Sequence, residues 1–435
     1  KPTDDLTGYK LYRHFSIADN PGHNSYMATL ITGINSVDNV FFLISGVEGI
    51  EPQTLQHMKC FQTTDCRQLC ILISKVDLIP TKIKLNEIKS KVFDFLDESE
   101  LSDDIDPPCI PVCAQTKTNI DYIIDYLMAA PYPRALEVSI KQPLIMPIIR
   151  SFDINIPGVD QKKLVGATIG GALIQGFIVP GDVLCLYPGI VRKINDRYVC
   201  IPLHTQALEM RSDTSSNNLQ CAVPGGFIGI KTTLDPGLSK ANGLVGQVVV
   251  KMRDNVNSSE LIKIVTQITM SYNVMTNVVE QQFIIGEYYV LSFHCATNRA
   301  RLIRKTTSEL TFEFMSGPVA IIQNEKIVVM TSPIGGIELL CHGQITSSML
   351  SDSVTIMKQP DLAEFLANLP IRSEYDSIEI VNDLEEPPIK MEELMDKLYQ
   401  FEEISTNINF QRTTFAVDYP SVETQKTTNS ISVVN

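Results

Sequence analysis

The chain changes texture at Pro131-Tyr132-Pro133-Arg134, and that change limits it to one kind of architecture. Before it, residues 15–19, 40–45, 69–74 and 109–113 are short runs rich in Val, Ile, Leu, Phe and Cys, the pattern of parallel strands buried on both faces. Helical patterns over 23–32, 52–63, 85–96 and 120–128 separate them, each long enough for a crossover. That alternation predicts a doubly wound α/β sheet whose ligands sit at the carboxyl ends of the strands. After it, glycine and proline break short alternating runs, as in 166–182 and 222–250, which is the spacing of antiparallel barrels. A second all-β block runs from about 261 to 345, with a polar turn stretch near 254–259 between the two.

At 435 residues the chain exceeds what one core sustains, so about three domains are expected. The boundaries read as an α/β domain over 1–140, barrels over 141–256 and 257–350, and an acidic extension over 351–435. In that extension Met391, Leu394, Met395, Leu398 and Tyr399 recur at helical spacing, while the Ser-, Thr-, Asn- and Gln-rich end is expected to be disordered in part.

Composition removes several classes. No apolar run approaches the roughly 20 residues that cross a bilayer, and the first residues carry no apolar signal core, so no membrane partner is expected and the cytoplasm is the default. Ten cysteines lie without a C-x-x-C pair, which points to reduced thiols; Cys60, Cys66 and Cys70 read as semi-buried thiols on a helix and the following strand rather than a metal site. With 36 basic and 50 acidic residues the chain is 14 units negative, so any RNA contact is local and dependent on partners. Six histidines show no triad or metal-ligand spacing, which argues against a hydrolase or protease.

Chemistry concentrates at three strand ends. In Asp19-Asn20-Pro21-Gly22-His23 the aspartate can reach Mg²⁺ through water, and the glycine lets a backbone N–H approach a γ-phosphate. His23 can orient an attacking water. In Ser74-Lys75-Val76-Asp77 the carboxylate can accept two hydrogen bonds from a guanine edge while the lysine stem lies over the base. In Cys113-Ala114-Gln115 the backbone N–H of Ala114 would meet the guanine carbonyl. Together these are motifs of a translational GTPase, with GTP or GDP and Mg²⁺ as cofactors. No G-x-x-x-x-G-K-[ST] loop, the nest and lysine that hold the β- and γ-phosphates, precedes Asp19.

Over roughly residues 9–345 the chain resembles the gamma subunit of eukaryotic translation initiation factor 2. The stretches that carry this are Tyr26-Met27-Ala28-Thr29-Leu30-Ile31-Thr32-Gly33, Glu51-Pro52-Gln53-Thr54 with His57, and Ala114-Gln115-Thr116-Lys117-Thr118-Asn119-Ile120. Ile149-Arg150-Ser151-Phe152-Asp153, Tyr187-Pro188-Gly189-Ile190-Val191, Pro224-Gly225-Gly226 and Val245-Gly246-Gln247-Val248 extend it. The resemblance implies a G domain followed by two β-barrels, association with alpha and beta subunits, and delivery of initiator methionyl-tRNA to the small ribosomal subunit.

Departures are also plain. Ser74 stands where the family has asparagine and Cys113 where it has serine; switch I and a cysteine-rich knuckle are absent before Tyr9; the last barrel lacks paired arginines and a tryptophan. A missing phosphate loop would strip ladder partners from two buried strands at roughly 1–3 kcal/mol per unpaired group, more than a 5–15 kcal/mol stability absorbs. The expectation is therefore an incomplete chain. The alternative is a pseudo-GTPase that serves as a binding or assembly scaffold.

Overall fold

The computed structural model describes residues 15–356, apart from 24–25, 36, 64–67, 99–106, 131–138, 157, 159, 161–163, 195–196, 213–217, 253–260, 276–282, 332–336 and 352–353. The acidic extension beyond 356, with its expected helix and disordered end, therefore lies outside the described residues, as do Cys66 and Tyr9. These residues form two compact units.

One unit holds residues 41–51 and 69–129. Its three-stranded sheet runs in the order β1 (Asn39–Ser45), β2 (Gln68–Ser74), β3 (Cys109–Pro111), with β2 and β3 parallel and Leu72 opposite Ile110. The apolar runs of β2 and β3 are buried on both faces, as their composition requires. Ile73 packs with Leu85 and Ile88, on the helix Lys82–Glu98, whereas Cys70, Leu72, Ile110 and Val112 pack with Tyr122, Ile123 and Tyr126, on the helix Ile120–Ala129. Successive residues of a strand point to opposite sides, so one continuous apolar run serves two helices.

Two other helices belong to the second unit: α1 (Met27–Ile34) and α2 (Pro52–Gln62), followed in the chain by α3 (Lys82–Glu98) and α4 (Ile120–Ala129) of the first. Residues 15–19, read from sequence as a buried strand, form no strand here, and Ile17 is 83% exposed. Apolar composition makes a strand only where a neighbour offers a ladder, and these residues find none among the described strands. Ser16 instead comes close to Gly226, where an added Cβ would lie 3.3 Å from the serine Cβ.

Two closed antiparallel barrels make up the rest of this unit. In the first, β4 (Met146–Phe152), β5 (Thr168–Ala172), β6 (Val183–Ile194), β7 (Arg197–Ser212), β8 (Phe227–Thr232) and β9 (Val248–Lys251) pair in the order β4-β5-β8-β7-β6-β9, and β9 returns to β4. The second contains β11 (Gln267–Ser271), β13 (Tyr288–Phe293), β14 (Ala296–Lys305), β15 (Glu309–Phe314), β17 (Lys326–Thr331) and β18 (Glu338–Met349). They pair in the order β11-β15-β14-β13-β17-β18, closed by β18 on β11. A ribbon of β10 (Ile262–Val265) and β16 (Val319–Ile322) flanks it, and β12 (Asn273–Val274) extends β18. Beyond it β19 (Val354–Ile356) adds to β7 in parallel. Closure leaves neither barrel a long free edge.

Strands β17 and β9 are apolar on both faces, and each marks a seam. Ile327 and Val329 of β17 fill the second barrel's interior, while Val328 and Met330 face outward and pack with Met27, Leu30, Ile31 and Ile34 of α1. The apolar stripe at 27, 30, 31 and 34 thus docks on the outer face of a barrel strand. In β9, Val249 points into the first barrel, whereas Val248 and Val250 pack with Ile262 and Ala320 of the β10–β16 ribbon. At about 1.5–3 kcal/mol for each fully buried aliphatic side chain, these seams hold the barrels and α1 together.

Candidate guanine-nucleotide site

Two loops converge at the carboxyl ends of β2 and β3. Ser74 closes β2, donating its hydroxyl to the Ile44 carbonyl (3.3 Å), while its own carbonyl accepts the Gly46 N–H (2.9 Å). The family's asparagine is missing, yet the hydroxyl still ties the end of β2 to the end of β1. Lys75 then turns the chain with φ 57°, and Val76–Leu78 form a single 3-10 turn that carries Asp77 into solvent. A non-glycine residue in this left-handed region is uncommon and is held here by its surroundings. The Val76 N–H donates to the Val112 carbonyl (3.4 Å), binding this turn to the strand beside it.

The second loop starts at buried Cys113. Cys113 and Thr118 exchange backbone hydrogen bonds of 3.3 and 3.0 Å, so Ala114, Gln115, Thr116 and Lys117 project as a pinned, exposed loop. Asn119 anchors its far side, donating its carboxamide to the Pro111 carbonyl (2.7 Å). The Thr116 N–H meets the Cys113 sulfur at 3.5 Å, a contact that the expected serine would make through oxygen. Exposed Asp77 and exposed Ala114 thus stand on loops joined by the Val76 to Val112 hydrogen bond. That pairing suits a base edge with donors beside a carbonyl.

Glu48, which sequence reasoning assigned no role, completes this edge. Its carboxylate accepts from Lys75 Nζ at 3.0 and 3.2 Å, and its turn is held by the Ser45 hydroxyl, which accepts the Val47 and Glu48 N–H groups. The Ser45 hydrogen bond, and then Lys75, lower the Glu48 carboxyl from its ordinary value. The pair is half exposed, so it orients the lysine more than it stabilises the fold. Ser45-x-x-Glu48 is a capping-like pattern, and it was the available signal.

Asp19, Gly22 and His23 lie in the unit with the barrels, and all three are exposed. The His23 carbonyl accepts the Tyr26 N–H (2.8 Å), and its ring sits edge-on to Tyr26. His57 of α2 is the residue that sequence reasoning quoted without giving it a task. Its Nε2 lies 2.8 Å from the Gly22 carbonyl, which only accepts, so the ring N–H donates. Burial lowers the His57 imidazole from its ordinary value, although the Gly22 hydrogen bond opposes this. A Cβ at Gly33 would displace the Asn20 carboxamide that rests there. Asp19 would act on Mg²⁺ through water, so the lack of a three-ligand metal cluster among the described residues does not bear on it. Cys60 and Cys70 are buried thiols, both pushed up to about 12 by desolvation, which suits packing rather than metal ligation.

Solved structures share this architecture. Translation elongation factor SelB from Methanococcus maripaludis, in complex with the GTP analogue GPPNHP, aligns at a TM-score of 0.59 with 15% identity, over 78% of this chain and 72% of that one. A bacterial selenocysteine-specific elongation factor aligns at 0.57 with 16% identity, over 80% of this chain and 51% of that one. The family model for the elongation factor Tu GTP binding domain matches residues 8–133. The sheet followed by two closed barrels is the architecture of translational GTPases.

Sequence relatives narrow the class. The gamma subunit of eukaryotic translation initiation factor 2 from Encephalitozoon cuniculi is 31% identical over 340 residues, which is 77% of this chain and 74% of that protein. Subunit 3 of the same factor from Drosophila melanogaster is 35% identical over 55% of this chain, and the gamma subunit from Schizosaccharomyces pombe 34% over 55%. The chain spans about half the length of these last two, at 50% and 52%. It belongs to the family of gamma subunits of eukaryotic translation initiation factor 2.

Proposed function

We propose that the chain binds GTP and GDP through its paired loops and acts as the gamma subunit of an initiation factor 2 complex. In this reading it carries initiator methionyl-tRNA to the small ribosomal subunit, with alpha and beta subunits as partners, in the cytoplasm. Residues 1–140 are the nucleotide-binding domain, 141–256 and 257–350 the two barrels, and 351–435 an extension. The observation that carries the reading is that exposed Asp77 and exposed Ala114 stand on loops joined by the Val76 to Val112 hydrogen bond.

Each residue has a task. Asp77 accepts from the guanine N1 and N2 hydrogens; the Lys75 stem covers one face of the base; Ala114 N–H donates to the guanine carbonyl, with Cys113 and Gln115 shaping its loop and Ser74 fixing the strand end. Asp19 would hold Mg²⁺ through water, Gly22 would offer its N–H to the γ-phosphate, and His23 would orient the attacking water. The comparisons lend no support to the scaffold alternative. Titration of the whole chain with fluorescent GDP and GTP in Mg²⁺ tests the proposal. Binding that weakens by about tenfold or more in Asp77→Ala, equivalent to the 1.5–3 kcal/mol of a charged hydrogen bond, supports it. Binding equal in both proteins, or none by a folded protein, refutes it.

A further inference from the structure

His294 occupies a place that a histidine rarely takes. The β13–β14 hairpin pairs Phe293 with Ala296, leaving His294 and Cys295 as its two-residue turn, and His294 has φ 35°. Such turns favour glycine or asparagine at positive φ, because a Cβ is strained there. The side chain is also buried, at 1% exposure. A strained, buried, ionisable residue at a hairpin tip needs an interaction that holds it.

Its two nitrogens supply one each. Nδ1 lies 2.9 and 3.1 Å from the two Glu325 carboxylate oxygens, in the turn between β16 and β17 of the same barrel. Nε2 lies 3.2 Å from the Gly246 carbonyl, in the loop that leads into β9 of the other barrel. A carboxylate and a carbonyl only accept, so both ring nitrogens must donate, and an imidazole with two N–H groups is an imidazolium. Glu325 is itself set by the Ile322 N–H, which it accepts at 3.2 Å. Gly246 has φ +82°, and a Cβ there would come within 2.9 Å of Ala296. Close backbone approach therefore brings its carbonyl to the ring.

We propose that His294 is a pH-gated clasp, an imidazolium that ties the two barrels together and loosens that joint when it gives up its proton. The charged group that faces it is Glu325; its own hairpin contributes the edge-on Phe293 ring and the buried Cys295 thiol, and the first barrel contributes the Gly246 carbonyl. Burial alone would lower the imidazole, but the Glu325 charge, the Glu325 hydrogen bond and the Gly246 carbonyl raise it above its ordinary 6.5. A raised native value means that the clasp's stabilisation is complete below about pH 6.5 and is lost as pH rises through the native value. Loss of one proton leaves the neutral ring able to donate to Glu325 or to Gly246, but not to both.

The test uses the whole chain with ¹⁵N-labelled histidine and long-range proton–nitrogen correlation from pH 6 to 9. His294→Gln identifies the His294 signals among those of six histidines. The expected result is a ring that donates from both nitrogens at pH 6 and titrates above the ordinary 6.5. Hydrogen exchange of the peptide containing 244–248, corrected for intrinsic base catalysis, should lose protection severalfold across that same titration. In Glu325→Gln the imidazole should titrate at lower pH than in the wild type. A His294 that titrates at or below 6.5, or protection at 244–248 that does not follow the titration, would overturn the proposal.

Discussion

At the scale of single residues, the buried charges of Lys251 and Asp182 are paired where β6 and β9 meet. Lys251 Nζ lies 2.8 Å from the Asp182 carboxylate, with side chains only 10% and 7% exposed, and the ammonium also lies 4.4 Å from the Phe177 ring centroid. Asp182 additionally accepts the Val179 N–H (2.9 Å), so the carboxylate is held from two directions. Removing one partner of a buried pair leaves a charge without compensation, at a cost of about 3–5 kcal/mol. Lys251→Met is accordingly expected to lower the urea-unfolding free energy by about that amount, and adding Asp182→Asn should recover part of it. A Lys251→Met protein as stable as the wild type would show that the pair is not buried as described. Neither partner was legible in the sequence, because Lys251 and Asp182 lie 69 positions apart and become neighbours only through the pairing of β6 with β9. His57 was hidden for a similar reason. Its partner is a backbone carbonyl at Gly22, and a carbonyl leaves no mark in residue type.

Elements were more legible than contacts. Residues 52–63, 85–96 and 120–128 were expected as helices and correspond to Pro52–Gln62, Lys82–Glu98 and Ile120–Ala129. The run Ile327-Val328-Val329-Met330 is apolar at every position, which states that β17 is covered on both faces without stating by what. The cover on one side is α1, from the run 23–32 that was expected as a crossover helix. Ile31, fully buried in that seam, should cost about 2–5 kcal/mol when changed to alanine, measured by denaturant unfolding. Tyr26→Ala, at a side chain 56% exposed, should change it by less than about 0.5 kcal/mol. Equal effects of the two would mean that α1 does not dock as described. Residues 15–19 show the opposite limit. Their composition suits a strand, but strand formation depends on a neighbour, which composition cannot supply.

At the scale of the whole molecule, the order of sheet, barrel and barrel was readable because side-chain period and turn chemistry change abruptly between segments. Family membership was readable because short motifs with a fixed chemical task tolerate little change in residue type. The inter-barrel joint was not readable: Gly246, His294 and Glu325 come together only when two barrels close and meet.

The central claim is that Asp77 reads guanine, and exchanging its hydrogen-bonding sense tests this directly. A carboxylate accepts from the N1 and N2 hydrogens of guanine; an asparagine amide can instead donate to the carbonyl that xanthine carries at the second position. The measurement is the affinity of the wild type and of Asp77→Asn for GDP and for xanthosine diphosphate, in Mg²⁺. The account predicts that the wild type prefers GDP and that Asp77→Asn reverses the preference, each by at least about tenfold, or 1.4 kcal/mol. An unchanged preference in a folded Asp77→Asn protein, or no nucleotide binding by either, would contradict it.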